Sequence, residues 1–308
     1  MEPAVYLNGK MVSREEAKIS IFDTGFMYGA TVYESIRTFK HKPFKLEEHL
    51  ARLERSLRYI GMDSLISRKE MKGIVEKIIS ANIDRVKEDD DMWLSFEVTP
   101  GEGFPHPLVA RKNMTPTVIA YVTSLPYEEY ARYYTEGKHA VIADTRNIPP
   151  EALDSRAKNR SRLHFFIAKR DGLKRDPDAF AVLLDTRGYI SEGTGANVFI
   201  VSGDKLYTPS ARNILVGISR QTVIELAKKI NLPVVETDIN LYDAYNADEA
   251  FFTTSSYCIL PISQFNGAGI GETIPGAWTG RLLDAWSESV GVDIVRQAQK
   301  FAKQRANG

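Results

Sequence analysis

The stretch that decides the reading is Ser191-Glu192-Gly193-Thr194-Gly195-Ala196-Asn197-Val198-Phe199. A carboxylate is followed by two glycines within three positions, and then by an apolar run. Glycines placed so let a backbone pass close to a ligand. On local evidence alone the segment is equally well a glycine-rich hairpin with a solvated glutamate. Its surroundings are dense in strands. Residues 179–184 read as a strand, Asp185-Thr186-Arg187-Gly188 as a turn, 197–201 as a strand, Ser202-Gly203-Asp204 as a turn and 205–207 as a strand. Such a meander implies antiparallel sheet.

Four further stretches stand out on either side. Leu215-Val216-Gly217-Ile218-Ser219-Arg220 opens a helix expected at 219–230. A glycine, a hydroxyl and unpaired N–H groups at a helix start make either an anion site or an ordinary serine cap. Asp248-Glu249-Ala250-Phe251-Phe252-Thr253-Thr254-Ser255-Ser256 ends an apolar strand in four hydroxyl residues, which bind phosphate or simply finish the strand. Ala157-Lys158-Asn159-Arg160-Ser161-Arg162 precedes a helical run at 163–170, where a lone lysine is more often a surface charge. Tyr28-Gly29-Ala30-Thr31-Val32-Tyr33-Glu34-Ser35-Ile36-Arg37 is followed by His49 and Arg52, three apart and so on one helix face.

The remaining pattern frames these motifs. Residues 4–7 run into a turn at Asn8-Gly9-Lys10, and the β-formers of 31–39 turn at Lys40-His41-Lys42. Leu46, Leu50, Leu53, Leu57 and Ile60 recur at helical spacing, as do Met71, Ile74, Val75, Ile78 and Ile79. Strands are expected at 92–98 and 117–122, and again from 140. Apolar alternation stops around Leu125-Pro126-Tyr127-Glu128-Glu129-Tyr130, and a late helix is expected at 278–289. The expectation is an α+β fold in two domains, each with antiparallel or mixed sheet and packed helices. The boundaries expected are a small N-terminal domain at 1–124, a linker at 125–137 and a large C-terminal domain at 138–308.

Composition narrows the function. Lys plus Arg total 40 and Asp plus Glu total 40, so no basic nucleic-acid footprint exists. The single cysteine, Cys258, cannot form an internal disulfide. No signal-type apolar run opens the sequence and no span of about 18 apolar residues occurs. The expectation is a soluble cytoplasmic protein without membrane, nucleic-acid or metal partners.

Taken together, the five motifs resemble the class IV (fold type IV) aminotransferases, which include branched-chain aminotransferases, D-amino-acid transaminases, (R)-selective amine transaminases and aminodeoxychorismate lyases. They run in family order from Tyr28 to beyond Pro261, with Leu206-Tyr207-Thr208-Pro209 between the glycine-rich motif and the helix opening. The resemblance implies pyridoxal 5′-phosphate, held covalently by Lys158, which also moves the proton at the substrate α-carbon. It implies Glu192 as the partner of the pyridine nitrogen. Arg52, Ile218, Ser219, Ser255 and Ser256 are implied around the phosphate, with Gly195, Asn197, Leu215 and Gly217 shaping the cradle. Branched-chain members place a tyrosine shortly after the lysine. Here Leu163 stands there, and Tyr33 is the candidate to replace it.

The substrate side departs from the family patterns. Arg37 matches the arginine of the motif E-G-I-R found in branched-chain members, although Ser35 replaces its glycine. Ser95 stands where an arginine is expected on the next strand, and Val98-Thr99-Pro100-Gly101 replaces the D-amino-acid type's V-T-R-G. Tyr28, Arg37, Ser95, His106, Arg111 and Arg160 are the candidate substrate residues, whereas Arg162 reads as holding a loop or an interface. The resemblance implies a homodimer. It points to transamination between an amino acid and a 2-oxo acid, first a branched-chain-like L-amino acid with 2-oxoglutarate. D-amino-acid or (R)-amine transamination, lyase chemistry, and a non-enzymatic phosphate binder with an idle Lys158 are the alternatives.

Overall fold

The structure is a computed structural model that describes residues 3–63, 65–102 and 115–306. His106 and Arg111 lie outside the described residues. The chain forms two compact units, the first Met1–Leu125 with Ala157–Arg162 and the second Pro126–Arg156 with Leu163–Gly308.

In the first unit the order is β1 (Val5–Leu7), β2 (Lys10–Val12), α1 (Thr24–Tyr28), β3 (Val32–Phe39), β4 (Lys42–Pro43), α2 (Leu46–Tyr59), α3 (Arg68–Ser80), β5 (Met92–Thr99) and β6 (Thr117–Ser124). The described strands form one antiparallel sheet in the order β2-β1-β6-β5-β3-β4. Lys40 and His41 both take left-handed backbone angles, with φ of 51° and 62°, which closes the β3–β4 hairpin with the twist such turns need. Helix α2 forms because its leucines line one face, and its first turn carries Glu47 and Glu48, favourable beside the helix N-terminus. Helix α3 begins with a reciprocal cap between Ser67 and Glu70. Leu50, Leu53, Leu57, Met71, Val75 and Ile78 pack with Val32, Ile36, Leu94 and Phe96 into the core.

Strand alternation decides what the other sheet face carries. Val32, Glu34 and Ile36 share the helix-covered face. Tyr33, Ser35 and Arg37 take the opposite one, where their partners across the register are Glu97, Ser95 and Trp93. Ser95 in turn opposes Tyr121 on β6. This second face is therefore polar and aromatic.

The second unit contains α4 (Tyr127–Tyr130), α5 (Tyr133–Glu136), β7 (Lys138–Ile142), α6 (Leu163–Arg175), β8 (Ala179–Leu184), β9 (Ile190–Gly193), β10 (Asn197–Ser202), β11 (Lys205–Pro209), α7 (Ile218–Lys229), β12 (Val234–Thr237), α8 (Leu241–Tyr245), β13 (Glu249–Thr254), β14 (Cys258–Phe265), β15 (Ala268–Gly269), α9 (Ala277–Val290) and α10 (Ile294–Ala306). Its sheet runs β12-β11-β10-β13-β14-β7-β8-β9, with β15 beside β14. The sheet is mixed, because β11–β12, β14–β7 and β7–β8 pair in parallel.

Two segments differ from the sequence reading. Residues 125–137, read as a linker, hold two short helices of the second unit, with Tyr127, Tyr130, Tyr133 and Tyr134 buried. Tyr127 stacks on Phe301 of α10 at 5.6 Å, a partner too distant in sequence for local periodicity to reveal. Ala157–Arg162, expected within the large domain, groups with the first unit, because it pairs with the start of β3.

Candidate active site

In the first unit, backbone hydrogen bonds hold the lysine segment against β3. Tyr33 N–H donates to the Lys158 carbonyl at 3.1 Å, Arg160 N–H to the Thr31 carbonyl at 2.9 Å, and Asn159 bridges Val32. Lys158 N–H donates to Ser56 Oγ at 3.1 Å. The Lys158 ammonium position lies 4.5 Å from the centre of the Tyr33 ring. Burial pulls this amine below the ordinary lysine range; Arg52 and Arg162 push the same way, against Tyr33 and Glu34. Such an amine loses its proton more readily, as a nucleophile or proton carrier must.

Tyr33 gathers three cations. Arg162 Nη1 donates to its hydroxyl at 2.6 Å, and the Arg160 guanidinium lies 3.6 Å from its ring centre. Burial pushes the phenol up, but Lys158, Arg162 and Arg160 outweigh it and leave the phenol below its usual range. Arg162, expected to hold a loop or an interface, thus ties its segment to Tyr33.

Arg52 is gripped from behind. Its Nε and Nη2 donate to the two oxygens of Glu34, each at 2.7 Å, and His49 Nδ1 meets Glu34 Oε2 at 2.6 Å. Burial opposes ionisation of Glu34, yet Arg52 and His49 overcome it and hold the carboxyl at about 2. Burial also pulls His49 down, so it serves as the neutral donor to Glu34. The shared face of His49 and Arg52 exists to hold this carboxylate.

Of the substrate candidates, the structure describes Tyr28, Arg37, Ser95 and Arg160, and it brings Ser95 and Arg160 together, Arg160 Nη2 donating to Ser95 Oγ at 3.4 Å. Arg160 pairs with Glu97, Nη2 to Oε1 at 2.5 Å and Nε to Oε2 at 3.3 Å. Ser95 is buried and its hydroxyl donates to Glu97 Oε1 at 3.0 Å, while the Tyr121 hydroxyl reaches the same oxygen at 3.4 Å. Arg37 is buried with its guanidinium 4.4 Å from the Phe39 ring centre. Tyr28, the last residue of α1, is 62% exposed.

In the second unit the glycine-rich motif ends strand β9 and passes through a tight turn, closed by an antiparallel bridge between Gly193 and Ala196, into β10. Glu192 is buried. Gly193 N–H donates to the Ala196 carbonyl at 2.8 Å, and Gly195 adopts φ 134°, which a side chain would resist. Leu215 N–H donates to Glu192 Oε2 at 3.2 Å, and the Leu215 carbonyl accepts from Asn197 Nδ2 at 2.9 Å. One residue thus ties the carboxylate, the motif's asparagine and the approach to α7 together. Asn147, which sequence reasoning missed, donates to Ser191 Oγ at 2.8 Å and to the Asn213 carbonyl at 3.1 Å. No local signal marks it, because its partners lie 44 and 66 residues away.

Helix α7 begins at Gly217, with no side chain capping it. Its first N–H groups are free of the side-chain cap that Ser219 was one candidate to provide, and a twelve-residue helix dipole favours an anion there. A Cβ at Gly217 would sit 2.2 Å from Asn197 Oδ1, so any side chain there requires Asn197 to shift. Arg220 is fully buried and donates to the Pro209 carbonyl at 2.9 Å and to Glu236 at 2.7 Å, fixing the helix against β11 and β12. Helix α7 also packs on β13. The hydroxyls of Thr254 and Ser256 lie 3.0 Å apart at the end of that strand, with Ser255 half-buried between them.

The first unit offers a half-buried amine of reduced basicity and a buried arginine; the second offers a buried carboxylate and an uncapped helix start. Among the described residues no cluster has the makeup of a metal site.

Residues 31–265 match the family model described as amino-transferase class IV. A putative branched-chain-amino-acid aminotransferase of Methanocaldococcus jannaschii is 34% identical over 285 residues, covering 92% of this chain and 95% of that protein. A D-alanine aminotransferase of Bacillus licheniformis is 30% identical over 93% of this chain and 96% of its own length. An aminodeoxychorismate lyase of Bacillus subtilis is 32% identical over 87% and 88%. Among solved structures, the branched-chain aminotransferase of Thermoproteus uzoniensis with norvaline superposes with a TM-score of 0.82 at 26% identity, covering 98% of this chain and 97% of that one.

Proposed function

This chain belongs to the class IV aminotransferases, and we propose that it moves the amino group of a branched-chain-like L-amino acid to 2-oxoglutarate. It is a pyridoxal-phosphate-dependent enzyme acting on amino and 2-oxo acids. When bound, that cofactor supplies an aldehyde that condenses with amines and a ring that accepts electrons from the substrate α-carbon.

The residues present fit this cofactor. The observation that carries the reading is Leu215, whose N–H fixes Glu192 and which lies just ahead of the uncapped start of α7. A carboxylate for a protonated ring nitrogen and donors for a phosphate thus stand on one tied loop. Glu192 would hold the ring proton. In the second unit Ile218 and Ser219, with Ser255, would hold the phosphate; in the first, Arg52 is the residue that the family pattern implies for the same group, and Glu34 keeps it oriented. Lys158, made less basic by burial, would carry the proton at the substrate α-carbon. Tyr33, held acidic by Lys158, Arg162 and Arg160 against its burial, would donate or accept at the ring's phenolic oxygen in place of the tyrosine that Leu163 displaces.

The test is a set of half-reactions read by cofactor absorbance, with L-leucine, D-alanine, (R)-1-phenylethylamine and aminodeoxychorismate as donors. Fastest conversion with L-leucine supports the reading. Preference for D-alanine, or pyruvate release from aminodeoxychorismate without an acceptor, replaces it with the activity named for one of the other relatives. A Lys158→Ala protein that keeps the visible cofactor band removes the covalent role.

We also propose a homodimer in the cytoplasm. Ile21, Phe26 and Tyr28 are more than half exposed within ten residues of one another, an apolar concentration that a second copy would cover. Sedimentation of wild type against Phe26→Glu tests it. A wild-type monomer at micromolar concentration removes the proposal. The buried lone Cys258 suits a reducing compartment, and no helix among the described residues is long and apolar enough to cross a membrane.

A further inference from the structure

Two arginine–glutamate pairs take their carboxylate from the sheet of the first unit, Glu34 on β3 and Glu97 on β5, and their accessibility differs. Arg52 and Glu34 are 5% and 0% exposed, so opening that fork would strand buried charge. Arg160 and Glu97 are 31% and 15% exposed, and a partly hydrated pair opens at small cost. Of these two, the Glu97–Arg160 pair is therefore the one that can exchange partners.

The surroundings suit such an exchange. Glu97 opposes Tyr33 across the β3–β5 register, and the Arg160 guanidinium stacks 3.6 Å from the Tyr33 ring centre. That ring holds the arginine plane in place while its fork changes partner. Glu97 is not left bare when the arginine turns away, because Oε1 also accepts from the hydroxyls of Ser95 and Tyr121. The Lys158 amine lies 4.5 Å from the centre of the same ring. The amine and the guanidinium thus border one ring, the setting that a carboxylate one carbon from the reacting amine would enter. Arg37 and Arg52 are buried against Phe39 and Glu34, and Arg162 is committed to the Tyr33 hydroxyl.

We propose that Arg160 binds the substrate's α-carboxylate in exchange for Glu97, which makes Glu97 the residue that sets how strongly the enzyme prefers amino acids over amines lacking a carboxylate. The proposal rests on the aminotransferase reading. Glu97 acts as an internal competitor: every substrate carboxylate must displace it, and a carboxylate-free amine need not.

The test compares holoenzymes of wild type, Glu97→Gln, Arg160→Gln and Arg160→Lys by calorimetric titration with 4-methylpentanoate and with its uncharged amide. Arg160→Gln should weaken the acid by about tenfold or more, the worth of one charge-assisted contact, and leave the amide within about twofold. Arg160→Lys, which keeps the charge, should fall between them and covers a failure of the glutamine variant to fold. Glu97→Gln should tighten the acid by about threefold to tenfold and leave the amide unchanged. Wild-type binding of the acid no tighter than the amide overturns the proposal, as does acid binding unaltered by either arginine variant. Weaker acid binding in Glu97→Gln also overturns it, because Glu97 would then be holding Arg160 ready for substrate. A visible cofactor band in each variant, with these results negative, sinks this assignment alone, whereas a wild-type protein that forms no such band sinks the aminotransferase reading.

Discussion

Replacing Glu34 should destabilise the protein more than any other single change on the sheet of the first unit. Glu34 is fully buried and accepts two charged hydrogen bonds from Arg52 and one from His49. Glu34→Ala leaves the Arg52 guanidinium buried without its counter-charge, a loss of about 3–5 kcal/mol. The pH route gives a similar figure. The carboxyl sits at about 2 in the folded protein against an ordinary 4.5, a gap worth on the order of 3 kcal/mol. The folded value is the depressed one, so this stability is fully present above pH 4.5. It is lost as pH falls towards 2, with about 2 kcal/mol gone by pH 3. Urea unfolding of wild type and Glu34→Ala at neutral and acid pH checks both numbers. The difference between the two proteins should be largest at pH 7 and should shrink towards pH 3. A loss below about 1 kcal/mol at pH 7, or a difference that grows on acidification, refutes the reasoning.

Other changes should be as legible. Glu192→Gln should bind the cofactor within about tenfold of wild type yet slow the half-reaction by two orders of magnitude or more, roughly 3 kcal/mol, because an amide cannot hold the ring proton; stopped-flow absorbance reads this, and undiminished turnover rejects the role. Gly217→Ala should cost about 1–3 kcal/mol and loosen phosphate binding, since the new methyl collides with Asn197 Oδ1, and Asn197→Ala should recover part of the loss in thermal denaturation. Covalent capture of pyridoxal phosphate by the apoenzyme should accelerate as pH rises through the Lys158 amine's value, with a midpoint well below that of free lysine; a midpoint at the free-lysine value contradicts the burial argument.

Much of this architecture is legible in the chain. The leucine spacing from Leu46 gives helix α2, and the clustered β-formers before Lys40 give strand β3. What escaped depends on distant partners. Four-residue helices such as α4 are too short to show a period, and their tyrosines become core only when α10 returns to cover them. Glu97 carried no mark of function, because its meaning lies in standing opposite Tyr33, and register is not written in either strand alone. The membership of Ala157–Arg162 likewise follows from its bridge to Val32, 127 positions earlier.

The division between what could be read and what could not follows from how each part of the site is built. The parts proposed to face the cofactor are backbone devices: a strand end with glycines, an uncapped helix start, a lysine on a short tied segment. Each occupies consecutive residues and leaves a contiguous signature. The proposed substrate-facing part is instead a pair of side chains brought together from distant parts of the chain, Glu97 with Arg160. Such pairs can be exchanged without disturbing the backbone devices beside them. A scaffold of this kind therefore keeps its cofactor chemistry while its substrate changes, and total identity follows the first property far better than the second. For this protein the consequence is specific: Glu97 and Arg160, rather than the glycine-rich motif, are where its substrate preference should be altered first.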